Sequence, residues 1–479
     1  MDVVKSTNGI IALVVIAVVA SILIGAMSGL LGIFEHEVET TPGQLSNVSE
    51  ASYIIYKDGD YTCTKNGTTG RIIYRMDNAT TAIQSTINLT NNTGGTIYIH
   101  TGTYSVYELD VKHPVNIVGS GYGKNVGEFD DVPASSIEFG TVLRGEGESI
   151  INITGMYADD GIGTQAGISI KNIGLDGADT ASYGIRLYFA PRTVITDVMI
   201  TNCTVFGLDL REGHSVTVRD SFVFNCGTDS PTHGGIRMGY VDGQMNACSI
   251  DSVCVEWCGT GIFLVQGYSN TINSCTIEGN QYYGLYANST LAIGYAQYNY
   301  IAQTHFEQNN QAEGAGIDDV HMSLSSTNTH IEDCRFSGSK VRYALYAQGD
   351  YFHLSNIGSL TEKIFLVKAN AKMLIENCIQ SVDSSVFPLG NSAAGGANII
   401  FTGPGAMVRG LESMQPGSNY KDITWATTFV TAPRSVQITA SDARDYTLYV
   451  TSVTTSGCRV YSNTTIASTG FLFYYYVSL

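Results

Sequence analysis

The chain has 479 residues, of which only 14% are charged, and a formal net charge of -18. There is no Lys or Arg block to gather the positive charge that phosphate binding requires, so nucleic acid is not expected as a partner. Gly (52) and Tyr (29) are plentiful, and with much Ser, Thr and Asn the composition suits an all-β or solenoid protein rather than a helical one.

Residues 10–34, IIALVVIAVVASILIGAMSGLLGIF, carry no charge. As a helix they would rise about 37 Å, enough to cross a bilayer. Lys5 precedes them, and Glu35, Glu37 and Glu39 follow. That charge order places the N-terminus inside and the rest of the chain outside. The expectation is a transmembrane anchor over residues 1–34, hence a single-pass cell-surface protein with the membrane as a partner through residues 10–34. The alternatives are a cleaved signal peptide, giving a secreted protein, and a pilin-like helix packed in a filament or virion. Asn-x-Ser/Thr sequons begin at Asn47, Asn66, Asn78, Asn88, Asn91, Asn152, Asn202, Asn288 and Asn463, candidate glycosylation sites that suit an exported surface.

Residues 35–50 are polar and read as a linker. Residues 51–78 hold short alternating runs separated by KDGD and KNGTTG, which predict a β-hairpin. In ATTAIQSTINLT, residues 79–90, Ala79, Ile83 and Ile87 share one helical face, which predicts a short amphipathic helix. The chain continues through GG, the apolar strand TIYI, GTY and then VGSGYG. This order, over about residues 79–125, resembles the start of pectin-lyase-like proteins, which are right-handed parallel β-helices. The resemblance implies that the helix plugs the open end of a solenoid and that GTIYIHTGTY forms its first coil. It says little of activity, because the fold serves lyases, hydrolases, tailspikes and adhesins.

The repeat supports the same fold independently. An apolar residue followed two positions later by a small polar one recurs at Ile170–Asn172, Ile195–Asp197, Val218–Asp220, Ile250–Ser252, Ile272–Ser274, Ile301–Gln303, Ile331–Asp333, Leu354–Asn356 and Ile375–Asn377. A second motif, a strand entered through glycine, recurs between them: YGIRL, FGLDL, GGIRM, TGIFL, YGLYA and AGIDD, with YALYA as an Ala variant. Short apolar strands at this period, separated by turn residues, specify a stacked β-solenoid over residues 79–410. Its rungs should lie about 4.8 Å apart. The polar residue of each pair then forms a column at a turn.

Cys203, Cys226 and Cys258 each fall eight residues after an anchor and should form a column across three successive coils. Cys275, Cys334 and Cys378 fall three after theirs, on non-adjacent coils. Small buried stacking thiols are the expectation, with a disulfide between neighbouring coils as the alternative. No CxxC or His-rich pattern suggests zinc.

Residues 421–479 contain alternating strands and read as an antiparallel β-sandwich. Their order looks like the small C-terminal sandwich of tail-fibre and lectin-like proteins. That resemblance implies sugar binding and trimerisation. The apolar run Phe471–Tyr476 would serve either a subunit interface or a core strand.

Alternation in the glycine-entered strands points Ile185, Leu187, Leu208, Leu210, Ile236, Met238, Ile262 and Leu264 inward. Arg186, Asp209, Arg237, Phe263, Tyr286, Asp318 and Tyr346 then form an outward stripe. Aromatic faces suit sugar rings, and Arg or Asp can fork hydrogen bonds to hydroxyls and carboxylates. A catalytic role is less well marked. Asp209, Arg211, Glu212, Arg186 and Arg237 hold the parts a lyase needs. Asp318 and Asp319 are adjacent acids, whereas hydrolysis needs two carboxylates facing each other. The polygalacturonase and pectate-lyase signatures are missing, and Asp229 and His233 lie only in a long insert. The expected function is polysaccharide binding of the adhesin type. The alternatives are a polysaccharide lyase or glycoside hydrolase and a structural coat or filament component. No cofactor is expected, and calcium would enter only with a lyase.

Overall fold

A computed structural model describes residues 51–123 except 92, then 139–155, 167–287 and 296–359 with short breaks, and past 360 chiefly strands. The anchor 10–34, the linker 35–50, Asn47, Asn288, Asn463, Asn377 and Cys378 lie outside the described residues. Among the described residues no helix is long and apolar enough to cross a membrane. The single-pass cell-surface localisation is therefore corrected: none of the architecture described below includes a membrane span.

Among the described residues the fold is all-β, with mostly parallel sheets and one helix. Residues 51–78 form a three-stranded antiparallel meander, Tyr53–Asp58, Tyr61–Asn66 and Ile72–Met76, rather than a two-stranded hairpin. Its first strand also pairs in parallel with Thr96–Ile99, which joins the meander to the first coil. Helix α1, Ala79–Leu89, follows, capped by Asn78, whose Oδ1 accepts from the Thr81 amide at 2.8 Å. This satisfies one of the amides that a helix start leaves orphaned. Ala79, Ile83 and Ile87 are buried, as the periodicity required. Gln84 accepts from the Asp110 amide at 2.8 Å and donates to the Asp110 carbonyl at 3.0 Å. The helix thereby saturates part of a strand edge that would otherwise invite pairing with another chain.

The coils beyond contribute strands to three longer ladders and to a short fourth one, which runs from Gly213 and His214 through Met245–Asn246, Gly267–Tyr268 and Ala296–Gln297 to Ser326–Thr327. The first carries the apolar anchors, from Ser169–Asp176 and Val194–Thr201 through Thr217–Arg219, Ser249–Asp251, Thr271–Asn273, Tyr300–Ala302 and Thr329–Glu332. The second holds Phe222–Phe224, Cys254–Glu256, Thr276–Glu278, His305–Glu307 and Arg335–Ser337. The third holds the glycine-entered strands Tyr183–Tyr188, Phe206–His214, Gly234–Met238, Thr260–Leu264, Leu285–Ala287, Val320–Met322 and Leu345–Ala347. All these pairings are parallel. Ile185, Leu208, Ile236, Ile262, Leu285 and Val320 fall in register and are fully buried in one continuous core.

Three corners join the ladders, and each is a column of left-handed backbone. At the first corner Asn172, Asp197, Asp220, Ser252, Ser274, Gln303, Asp333 and Asn356 all have φ between 48° and 54°. These are the polar partners of the anchors, and short polar side chains tolerate that conformation best. The second corner is Asn202, Asn225, Trp257, Gly279 and Gln308; the third is Ser215, Ala247, Ser269, Tyr298 and Asn328.

The repeated glycine has a different cause. A Cβ on Gly235 would lie 2.4 Å from Val255 Cγ1 and 3.3 Å from Cys258 Sγ. Gly207 meets Val223 and Cys226 in the same way, and Gly184 meets Ile200 and Cys203. The third ladder enters so close to the second that only a hydrogen fits. Cys203, Cys226 and Cys258 thus stack under three successive glycines as free, buried thiols. The hydrogen bond to Cys226, then burial, pushes the Cys203 thiol well up.

After the solenoid, Met407–Met414, Phe471–Ser478 and Ser435–Ala440 form one antiparallel sheet, and Tyr420–Thr424, Gly457–Ser462 and Leu448–Thr451 form another. The C-terminal sheets therefore begin at Met407, inside the span assigned to the solenoid. The strand Phe471–Ser478 pairs on both edges, so neither edge is left for strand addition by another subunit.

Candidate functional site

The outward column of the third ladder is Arg186, Asp209, Arg237, Phe263, Tyr286, His321 and Tyr346. Asp318 is not in it. The coil that carries AGIDD enters its strand three residues later than the glycine suggests. Asp319 takes the glycine position, Val320 and Met322 point inward, and His321 stands where Asp318 was expected. The sequence DDVHM kept the inward-outward-inward spacing, but with Asp in place of Gly it did not match the repeat.

The column is also less exposed than alternation alone implies. Asp209 is 0% exposed, Phe263 5% and Tyr346 8%. Neighbouring outward side chains cover them. Phe263 packs with Phe206, Val265, Tyr183, Val205 and Tyr286 in a small apolar cluster outside the main core. A sheet face carrying large rings on adjacent rungs buries them against one another.

Around Asp209 the chemistry is ionic. Nε of Arg211 donates to its Oδ2 at 2.8 Å, and Nε of Arg237 donates to its Oδ1 at 2.7 Å. The carboxylate is thus saturated by charge-assisted hydrogen bonds and offers no free oxygen to a substrate proton. The guanidinia in turn lie over aromatic rings: Arg211 and Arg237 are 4.7 and 4.8 Å from the Tyr240 centroid, and Arg237 is 4.6 Å from that of Phe206. Arg186 sits 5.4 Å from the Tyr183 centroid and donates from Nη1 to Glu148 at 2.6 Å. Arg211 and Arg237 thus share the Asp209 carboxylate, and Arg186 pairs with Glu148.

From Phe263 onward the column is a ring ladder. Centroid separations are 5.3 Å for Phe263–Tyr286, 4.9 Å for Tyr286–His321 and 4.7 Å for His321–Tyr346. Tyr283 stacks on Tyr286 at 4.4 Å. Buried Asp318 holds His321 Nδ1 at 3.0 Å through Oδ2. Asp319 points the other way, into the core, where its Oδ1 accepts from Asn309 at 2.8 Å. The two adjacent acids therefore do not face one another, and a hydrolase pair across a scissile bond is not formed by them. Burial, opposed by the Asn309 hydrogen bond and helped by Asp318, pushes the Asp319 carboxyl up to about 7. Among the described residues no group of three His, Cys, Asp or Glu is placed to hold a metal ion.

The insert residues Asp229 and His233 touch each other, Nδ1 to Oδ1 at 3.2 Å, with the imidazole edge-on to Phe206 at 6.3 Å. Among the sequon residues, Asn78 is the helix cap and Asn66 Oδ1 accepts from the Thr68 and Thr69 amides. Asn88 accepts from Gln84, Asn91 is exposed, and Asn152 bridges Asp110 and Arg186. Asn202 is 5% exposed and donates its amide to Asp176. Its side chain is committed to the corner and is closed to a glycan in the folded chain.

Residues 161–379 match the family model described as "Right handed beta helix region". The chain thus carries a right-handed β-helix, as the resemblance to pectin-lyase-like proteins implied. A search of curated proteins found no match. Among solved structures, the tailspike protein of Pseudomonas phage LKA1 is similar at 13% identity and TM-score 0.42, over 80% of this chain and 66% of that one. The A-module of a mannuronan C-5 epimerase of Azotobacter vinelandii is similar at 14% identity and TM-score 0.41, over 68% of this chain and 83% of the module. ORF18 of Geobacillus virus E2 is similar at 11% identity and TM-score 0.45, over 87% and 85%.

Proposed function

We propose that the β-helix binds polysaccharide along the outward face of its third ladder, as an adhesin or receptor-binding protein does. The supporting observation is the row of half-buried Tyr183, Tyr240, Tyr283 and Tyr286 on one face, with guanidinia held above the first two. Rings at fixed spacing offer flat apolar faces to sugars, and the guanidinia supply donors for hydroxyls or carboxylates. A long polymer matches a surface built by stacking. Phe263 supports the rings from beneath, and Asp209 anchors the cations.

The test incubates the full chain with acidic and neutral polysaccharides and scores retention and new chain ends. Retention without cleavage, lost in Arg186→Ala plus Tyr286→Ala while folding is kept, is the expected result. Retention unchanged in that double variant would remove this face from the reading. The enzyme alternative draws on one observation. Asp318 fixes His321 by its Nδ1, which leaves Nε2 as a base among tyrosine rings. New chain ends that vanish in His321→Ala would make the protein a lyase or hydrolase.

A further inference from the structure

The second corner holds an aromatic residue in a column otherwise made of Asn, Gly and Gln. Its left-handed positions are Asn202, Asn225, Trp257, Gly279 and Gln308. Side-chain amides build a ladder on the first two: Asn202 donates to Asp176 at 3.1 Å, and Asn225 donates to Asn202 at 2.9 Å. The ladder stops at Trp257. A bulky aromatic at φ 53° is costly where Asn or Gly is at ease. Strain of this kind points to a role outside folding.

The indole is seated, not buried. Trp257 is 46% exposed. A Cβ built on Gly279, one coil on, would lie 3.4, 3.5 and 3.7 Å from its Cε2, Cδ2 and Cζ2 atoms. Near-equal distances to the ring-fusion atoms mean that Gly279 meets the plane of the indole, not its edge. One face therefore lies against Gly279, and close to half of the residue is left open.

Beside this platform runs a carboxylate ladder. Glu256, Glu278 and Glu307 are in register on three successive rungs of the second ladder. Glu256 immediately precedes Trp257, and Glu278 immediately precedes Gly279. All three are half-buried, and none pairs with Lys or Arg among the described residues. Among the described residues they meet Cys254, which donates to Glu256 at 2.7 Å, and His305, 3.5 Å from Glu307. Burial and the two flanking glutamates push the Glu278 carboxyl up, the mark of negative charge without a counterion.

We propose that this corner is a glycan subsite for a pyranose bearing an ammonium group, stacked on Trp257 with its charge against the glutamate ladder. A cation is drawn both to an indole face and to the carboxylates, and the sugar ring supplies the apolar surface the indole lacks. Free uronates are repelled. The ladder runs along the solenoid axis, so a polymer of amino sugars can present successive charges to successive rungs. The site lies on another corner from the arginine and tyrosine face and does not depend on that reading.

The experiment titrates the full chain with deacetylated glucosamine oligomers, their N-acetylated counterparts, uronate oligomers and oligolysine, following binding by calorimetry. The deacetylated oligomer is expected to bind at least tenfold more tightly than the acetylated one. Trp257→Asn, the residue type this corner has on the two preceding coils, should retain the fold and lose at least tenfold in affinity. Glu278→Gln should weaken binding severalfold and flatten its salt dependence. Tyr298→Ala, an exposed aromatic at the third corner and outside both sites, should leave all of this unchanged, and uronate binding followed in parallel separates failure here from failure of the other face. Equal affinity for both oligomers, or unchanged binding by Trp257→Asn, would overturn the proposal. Oligolysine binding as tight as the amino sugar would overturn the sugar assignment in favour of a cationic peptide.

Discussion

Replacing Asp319 by Asn should stabilise the protein at neutral pH, and the gain should depend on pH. Asp319 is fully buried at the inward position that glycine fills on the coils before it. Its Oδ1 accepts from Asn309, the end of an amide chain that runs from Asn280, while its Oδ2 has no hydrogen-bond partner among the described residues. The carboxyl rises from 3.8 to about 7, chiefly through burial. Three pKa units correspond to about 4 kcal/mol of preference for the neutral form. Below pH 4 both the folded and the unfolded chain hold the proton, and the penalty is absent. As pH rises toward 7 the unfolded chain releases its proton and the folded chain does not, so stability falls. Above 7 the loss reaches its full value. Asn matches the protonated acid in shape and keeps the acceptor for Asn309. The variant should therefore equal the wild type near pH 4 and exceed it by about 2–4 kcal/mol at pH 8. Urea denaturation of both full chains at pH values from 4 to 8.5 measures the difference. A gap independent of pH, or a variant less stable at pH 8, would refute the assignment of a neutral buried acid.

Gly235→Ala should cost about 1–3 kcal/mol in the same assay, since its Cβ would overlap Val255 and the Gly261 carbonyl. A neutral result would mean that the third ladder can move away from the second. Asp209→Ala should cost about 3–5 kcal/mol by leaving Arg211 and Arg237 together without their anion, and Arg237→Met alongside it should recover part of the loss. Cys203, Cys226 and Cys258 should resist a thiol reagent until the chain unfolds, because each is buried under a glycine of the next ladder; rapid labelling of the native protein would contradict that packing. Peptide mapping after expression in a glycosylating host should find Asn202 unmodified.

The coil period, the inward residues and the first corner could be read from the sequence because each is a local pattern. An apolar anchor and a polar residue two positions on recur by strand alternation and by the tolerance of Asn, Asp and Ser for left-handed backbone. The structure gives all eight described partners that backbone. The cysteine spacing likewise marked one corner of three adjacent coils, because a fixed offset from a repeated anchor is a fixed place on the coil. Where an insert altered the spacing, as before Asp319, the pattern misled. A glycine at Gly316 looked like the strand entry, while the chain used Asp319.

Exposure was the larger gap. Alternation states which way Asp209, Phe263 and Tyr346 point, but not what lies above them. Burial of an outward side chain depends on neighbours some 20 or more residues away, such as Phe206 against Phe263 and Arg237 against Asp209. Trp257 belongs to the same class: the sequence shows only its place in the chain, and coil stacking puts Gly279 beneath it and three glutamates beside it. The sequence by itself determined the solenoid, its period and its inward face, because these follow from residue-by-residue geometry that repeats. The tertiary structure alone decided which outward residues are covered, paired or left open, because those are contacts between coils and their register is fixed only when the sheets close.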